Sequence, residues 1–132
     1  MIELAGLTML YGTLRGVDDL TLRGEPGVVT GFLGPNGAGK TTTMRLILGL
    51  DHPTSGTVTI DGKRYRELRD PLRTVGALLD ARQAHPNRSA RNHLRWIAAA
   101  NRIPSIRVDE VRDMVGVDAV GDRTAGTLSL GM

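Results

Sequence analysis

The stretch GPNGAGKTT, Gly34 to Thr42, constrains this chain more than any other. It satisfies the pattern G-x-x-x-x-G-K-[ST], and the apolar run VVTGFLG, Val28 to Gly34, leads into it. A continuous β-branched run of that kind predicts a strand covered on both faces. Downstream, Thr41 to Leu50 predicts a helix with Met44, Ile47 and Leu48 on one face and Pro53 beyond its end. Strand, glycine-rich loop and helix in that order predict a phosphate cradle. Gly34, Gly37 and Gly39 let the backbone curl so that several N–H groups aim inward, and the helix N-terminus adds about half a positive charge at the same place. Lys40 then reaches the β- and γ-phosphates as a point charge, the Thr41 hydroxyl ligates Mg²⁺, and Thr42 supports the α-phosphate side. Pro35, Asn36 and Ala38 complete the loop. Kinases, GTPases, motors and transport ATPases all use such a loop, so it fixes a ligand and leaves the activity open.

The remaining segments supply a frame. Ile2, Leu4 and Leu7, then Leu20 and Leu22, have the spacing of strands with one buried face, and Thr57-Val58-Thr59-Ile60 alternates strictly before an Asp61-Gly62 turn. These predict an antiparallel, partly exposed sheet. VGALL, Val75 to Leu79, reads as a second buried strand. Ser89 is placed to cap a helix with Leu94, Ile97 and Ala98 inward. Val108, Val111 and Val115 share helical spacing with Asp109 and Glu110 in the first turn, and Pro104 separates the two helices. The order predicts an α/β core over about residues 1–79 and a helical appendage over about 80–132.

Composition narrows the partners. Seventeen basic against fourteen acidic side chains leave +3, spread from Arg15 to Arg123, which is not the clustered footprint of a nucleic-acid surface. Cysteine is absent, so a disulfide framework and a thiolate metal site are excluded, as suits a reducing, cytoplasmic setting. The apolar runs fall short of the roughly 18 residues of a membrane span, so any membrane role is peripheral. His52, His85 and His93 lack metal-ligand spacing. Trp96 reads as a packing residue, and Arg88, Arg91 and Arg95 as a solvated face.

Three ordered motifs together resemble the ATP-binding-cassette (ABC) ATPases: GPNGAGKTT, the following LDHPTSGTVTIDGK from Leu50 to Lys63, and LSLGM from Leu128 to Met132, similar to the family signature LSGGQ. The wording of LSLGM with GALLD is most similar to bacterial drug exporters of the bacitracin and daunorubicin type. The resemblance implies a P-loop NTPase of ABC type with an antiparallel β-subdomain, a RecA-like core that is incomplete in these residues, and the start of a helical subdomain. It implies that Tyr11 stacks on the adenine of ATP, an interaction worth ~1–3 kcal/mol per base. Asp80 stands where the family has a glutamine touching Mg²⁺ and the attacking water, with Gln83 as the alternative three residues on. Ser129 and Gly131 keep the positions that contact a γ-phosphate in a second subunit, while Leu130 and Met132 replace Gly and Gln. The implied assembly is a head-to-tail dimer with permease subunits at the cytoplasmic face of the membrane.

The family's Asp-Glu pair and its later histidine have no counterpart within residues 1–132. The resemblance therefore implies ATP hydrolysis coupled to drug export for a complete parent and none for this chain alone. Family strands expected between VVTGFLG and VGALL are also missing, which predicts exposed strand edges and poor folding in isolation. Two other readings share the motifs: a non-transport ABC protein acting on nucleic acid or ribosomes, and a truncated nucleotide-binding fragment without catalysis.

Overall fold

The first ten-residue strand, β1 (Ile2–Tyr11), is the centre of the sheet because it can bond on both edges. The computed structural model describes residues 1–80, 84–117 and 120–129. Strand β2 (Leu14–Gly24) pairs antiparallel with β1 through a two-residue turn in which Gly12 takes a φ of 61°. On the other edge β3 (Ser55–Ile60) is also antiparallel, giving the order β2-β1-β3. Asp61 and Gly62, at φ 49° and 77°, then reverse the chain so that Ile60 and Lys63 exchange backbone hydrogen bonds. This is the twist-matched geometry that Asp-Gly turns supply.

Helix α1 (Lys40–Ile47) covers one face of this sheet. Leu4, Leu7, Val17, Leu46 and Val58 form the buried cluster, with Ile2, Met9, Leu20, Leu22 and Ile47 packed around it. The buried face of α1 is carried by Thr43 and Leu46, whereas Met44, expected inward, is exposed. Thr43 tolerates burial because its hydroxyl donates to the Gly39 carbonyl at 2.9 Å, leaving no unmet donor. The helix stops at Gly49, φ 64°, where Leu50 N–H reaches back to Arg45 O and Gly49 N–H to Leu46 O.

Two predicted strands differ. Residues 28–34 and 75–79 are not in strands, with Val29 fully exposed and Leu33 and Leu78 largely so. A strand of the doubly covered kind needs neighbours on both edges, and no described strand pairs with either segment. The short helix α2 (Pro71–Thr74) precedes the second of them.

The chain divides into two compact units, Met1–Leu79 and Asp80–Met132. In the second, α3 (Ala90–Ala100) packs on α4 (Ile106–Met114), burying Ala98 and Val108. Leu94 and Ile97 are half-buried, while Val115, expected inward, is exposed beyond the end of α4. Arg112 is buried as well; its guanidinium donates to Asp109 at 3.1 Å, and a Cβ at Gly121 would lie 2.3 Å from it. The segment around Gly121–Gly126 runs back along Pro86–Arg91: Arg91 N–H donates to Gly121 O, Ala125 N–H to Arg88 O, and Gly126 N–H to Pro86 O.

Candidate nucleotide-binding site

The loop before α1 is closed on itself by Lys40. Its ammonium donates to the carbonyls of Gly34 and Pro35, each at 2.7 Å, across the loop. Ala38 N–H returns to Pro35 O, and Gly37 and Gly39 take φ values of 84° and 83° that side-chain-bearing residues rarely adopt. Gly39 is also the N-cap of α1, and no side chain caps it. The first intrahelical bond at this end is Thr43 N–H to Gly39 O, at 2.8 Å. The N–H groups of Lys40, Thr41 and Thr42 therefore have no acceptor within the helix. No acidic residue lies in that first turn, so the positive end of the helix dipole is not offset locally.

A cavity of about 340 Å³ joins this helix end to the tip of the β1–β2 hairpin. Tyr11, Leu14, Arg15 and Gly16 line one side, and Asn36, Gly37 and Gly39 to Thr42 the other. The two sides approach closely at Gly39, where a Cβ would stand 2.1 Å from the Gly16 carbonyl oxygen and 3.3 Å from Val17 Cγ2. Gly16 in turn lies beneath the Tyr11 ring, where a Cβ would meet Cε2 at 2.8 Å. The arrangement offers backbone donors, one ammonium and two threonine hydroxyls at one end, and an aromatic ring with an apolar neighbour and the Arg15 guanidinium at the other. Its chemistry suits a polyphosphate with an attached planar base.

Close by, Arg45 of α1 makes a two-pronged ion pair with Asp51, at 2.7 and 2.9 Å. The guanidinium holds the Asp51 carboxyl below its ordinary range, chiefly through hydrogen bonding, and Asp51 pushes Arg45 up.

A family model described as "ABC transporter" matches residues 17–132. The chain belongs to the ABC transporter family. Among ABC relatives, the bacitracin transport ATP-binding protein BcrA of Bacillus licheniformis is 37% identical over 134 residues, covering 100% of this chain and 44% of BcrA. The Fe(3+) ions import ATP-binding protein FbpC 1 of Rhizobium meliloti (strain 1021) is 33% identical over 125 residues, covering 92% of this chain and 35% of that protein. The chain thus spans less than half the length of these two relatives. An ATP-binding cassette solved as a dimer in a post-hydrolysis state, bound to ADP and Pi, superposes with a TM-score of 0.79 at 22% identity, covering 98% of this chain and 64% of that one. The fold is that of an ABC ATPase domain, present in part.

Within that ABC frame, Tyr11 and the loop residues Asn36, Gly37, Gly39, Lys40, Thr41 and Thr42 share one cavity. Gly34 and Pro35 contribute through the carbonyls that hold Lys40. Asp80 falls in the second unit and is exposed; Gln83, Leu130, Gly131 and Met132 lie outside the described residues. Ser129 is exposed, just past the 3₁₀ turn Ala125–Thr127. Trp96, expected to pack, is more than half exposed, with the Arg88 guanidinium 5.2 Å above its ring and His93 at 6.2 Å. No group of three or more metal-capable His, Asp or Glu side chains occurs among the described residues. Leu14, Arg15 and Gly16 also line the cavity, and the turn that pairs Tyr11 with Leu14 is the sequence signal for them.

Proposed function

We propose that this chain is the nucleotide-binding portion of an ABC transporter ATP-binding subunit, taking ATP with Mg²⁺ between Tyr11 and the Gly34–Thr42 loop. One observation carries the reading: Tyr11 and the loop line the same cavity. An incoming triphosphate exchanges the Gly34 and Pro35 carbonyls for its own oxygens as partners of the Lys40 ammonium. The backbone N–H groups of Lys40, Thr41 and Thr42 converge on the same anion, and Tyr11 orients the base.

The donor set also fits Mg²⁺. Thr41 offers a hard hydroxyl oxygen beside the phosphate end, and this ion is commonly held by few protein oxygens together with substrate phosphates. Bound there, Mg²⁺ neutralises phosphate charge. For the whole protein, the family resemblance alone names Asp80, with Gln83 as the alternative, as a further residue toward this ion.

In the whole protein, Ser129 and Gly131 would meet the γ-phosphate on a second subunit in a head-to-tail dimer, and the pair would act on permease subunits at the cytoplasmic face of the membrane. The similarity to BcrA supports export of a drug or antibiotic-like compound, driven by Mg²⁺-dependent hydrolysis. The 132 residues alone do not turn ATP over, because the water-polarising glutamate implied by the family is not among them.

Equilibrium dialysis with radiolabelled ATP and Mg²⁺, paired with a phosphate-release assay, tests this. Saturable binding that Lys40→Ala weakens, without release, is expected. Absence of binding, or release that Lys40→Ala abolishes, contradicts the respective part.

A further inference from the structure

Tyr11 and Leu14 are direct cross-strand partners at the end of the β1–β2 hairpin, separated by the tight Gly12-Thr13 turn. Both are exposed, Tyr11 to 46% and Leu14 to 68%, and neither belongs to the buried cluster of the sheet. An exposed leucine alone needs no explanation. What distinguishes Leu14 is its place: it lines the same cavity as Lys40, Thr41 and Thr42. The Tyr11 ring has limited freedom to retreat, because it lies across Gly16, where even a Cβ would meet it at 2.8 Å.

We infer that Leu14 is a base-binding residue, forming with Tyr11 a two-part apolar platform for the nucleobase of the bound nucleotide. The inference rests on the nucleotide reading above and adds a residue to it. The phosphate-binding groups occupy the α1 end of the cavity, so the base of an anchored nucleotide extends toward the hairpin. Tyr11 covers part of a purine face, and the Leu14 methyl groups cover an adjoining part. Leu14 and Gly16 offer no side-chain hydrogen-bonding group, and the guanidinium of Arg15 between them is paired with Asp18, so Tyr11 and Leu14 grip through stacking and apolar contact. A larger base gains more from it than a smaller one.

The test measures dissociation constants in Mg²⁺ for ATP, CTP and inorganic tripolyphosphate on the full 132-residue chain and on two variants. Leu14→Ala removes three carbons from the platform and is expected to weaken ATP about fivefold, consistent with partial burial at ~0.8 kcal/mol per methylene, while tripolyphosphate is unchanged. CTP loses less than ATP. Leu14→Phe, which widens the stacking surface, is expected to tighten ATP relative to tripolyphosphate. Equal effects of Leu14→Ala on ATP and tripolyphosphate, or none on either, overturn the inference. Failure of the unsubstituted chain, shown to be folded by circular dichroism, to bind ATP instead overturns the nucleotide reading itself, so the two failures are distinct.

Discussion

The carbonyl oxygen of Gly16 on β2 occupies the space where residue 39, at the start of α1, would carry a side chain. This approach, 2.1 Å to a Cβ built at Gly39, joins the hairpin that bears Tyr11 to the loop that bears Lys40. Gly39→Ala meets both the clash and a left-handed φ of 83°, which alone costs roughly 1–2 kcal/mol. The variant is expected to unfold at lower urea concentration and to lose ATP affinity in the same titration series. An alanine variant with unchanged midpoint and affinity would contradict the contact.

Lys40 spans the loop through the carbonyls of Gly34 and Pro35, which holds its ammonium at the proposed phosphate end of the cavity. Removing it deletes a charge-assisted contact of about 1.5–3 kcal/mol, or roughly 10- to 100-fold in affinity. Lys40→Ala is expected to weaken ATP and tripolyphosphate alike, measured by calorimetry. Tyr11→Ala is expected to weaken ATP only, so the pair of variants separates the two ends of the cavity.

The Arg45–Asp51 pair gives stability a pH dependence of definite sign. The Asp51 carboxyl titrates lower in the folded chain than its ordinary value, because Arg45 hydrogen-bonds the charged form. Its contribution is therefore present above the unfolded-chain value, about pH 3.9, and fades as pH falls through the lower folded value. Asp51→Asn is expected to melt below the unsubstituted chain at pH 7, with the gap closing on acidification below about pH 3.9. A gap that persists or widens at low pH would refute the assignment.

In the second unit, the Ser89 hydroxyl accepts from Asn92 N–H at 3.3 Å and caps α3. Ser89→Ala is expected to cost about 0.5–2 kcal/mol in the stability of that unit, and Ser89→Asp to restore most of it, read by amide hydrogen exchange along α3. Equal protection in all three chains would show that the Ser89 hydroxyl does not stabilise α3.

How far these features could be read in advance depended on whether their causes were local. The phosphate loop, the Ser89 cap and the Asp61-Gly62 turn follow from the φ values and donors that a few adjacent residues demand, and each was visible in the letters. The Tyr11 site needed the family resemblance, since one tyrosine at a strand end carries no local signature of a ligand. Leu14 and Gly16 were hidden because their role arises from cross-strand register. VVTGFLG and VGALL misled for the opposite reason: apolar runs state a preference for burial, and neighbours must supply it. The burial of Arg112 is not legible locally, because a charged residue in a polar stretch of α4 reads as surface and only the packing of Gly121 against it covers it.

Backbone amide NMR during titration with Mg²⁺ and ATP tests most directly whether one nucleotide bridges Tyr11 and the Lys40 loop. Saturable shifts are expected to appear together at Tyr11, Gly37, Gly39, Lys40 and Thr41, with tripolyphosphate moving the loop amides and sparing Tyr11. Shifts that leave the loop unmoved at saturating ATP, or that move Tyr11 equally with tripolyphosphate, would contradict that bridge.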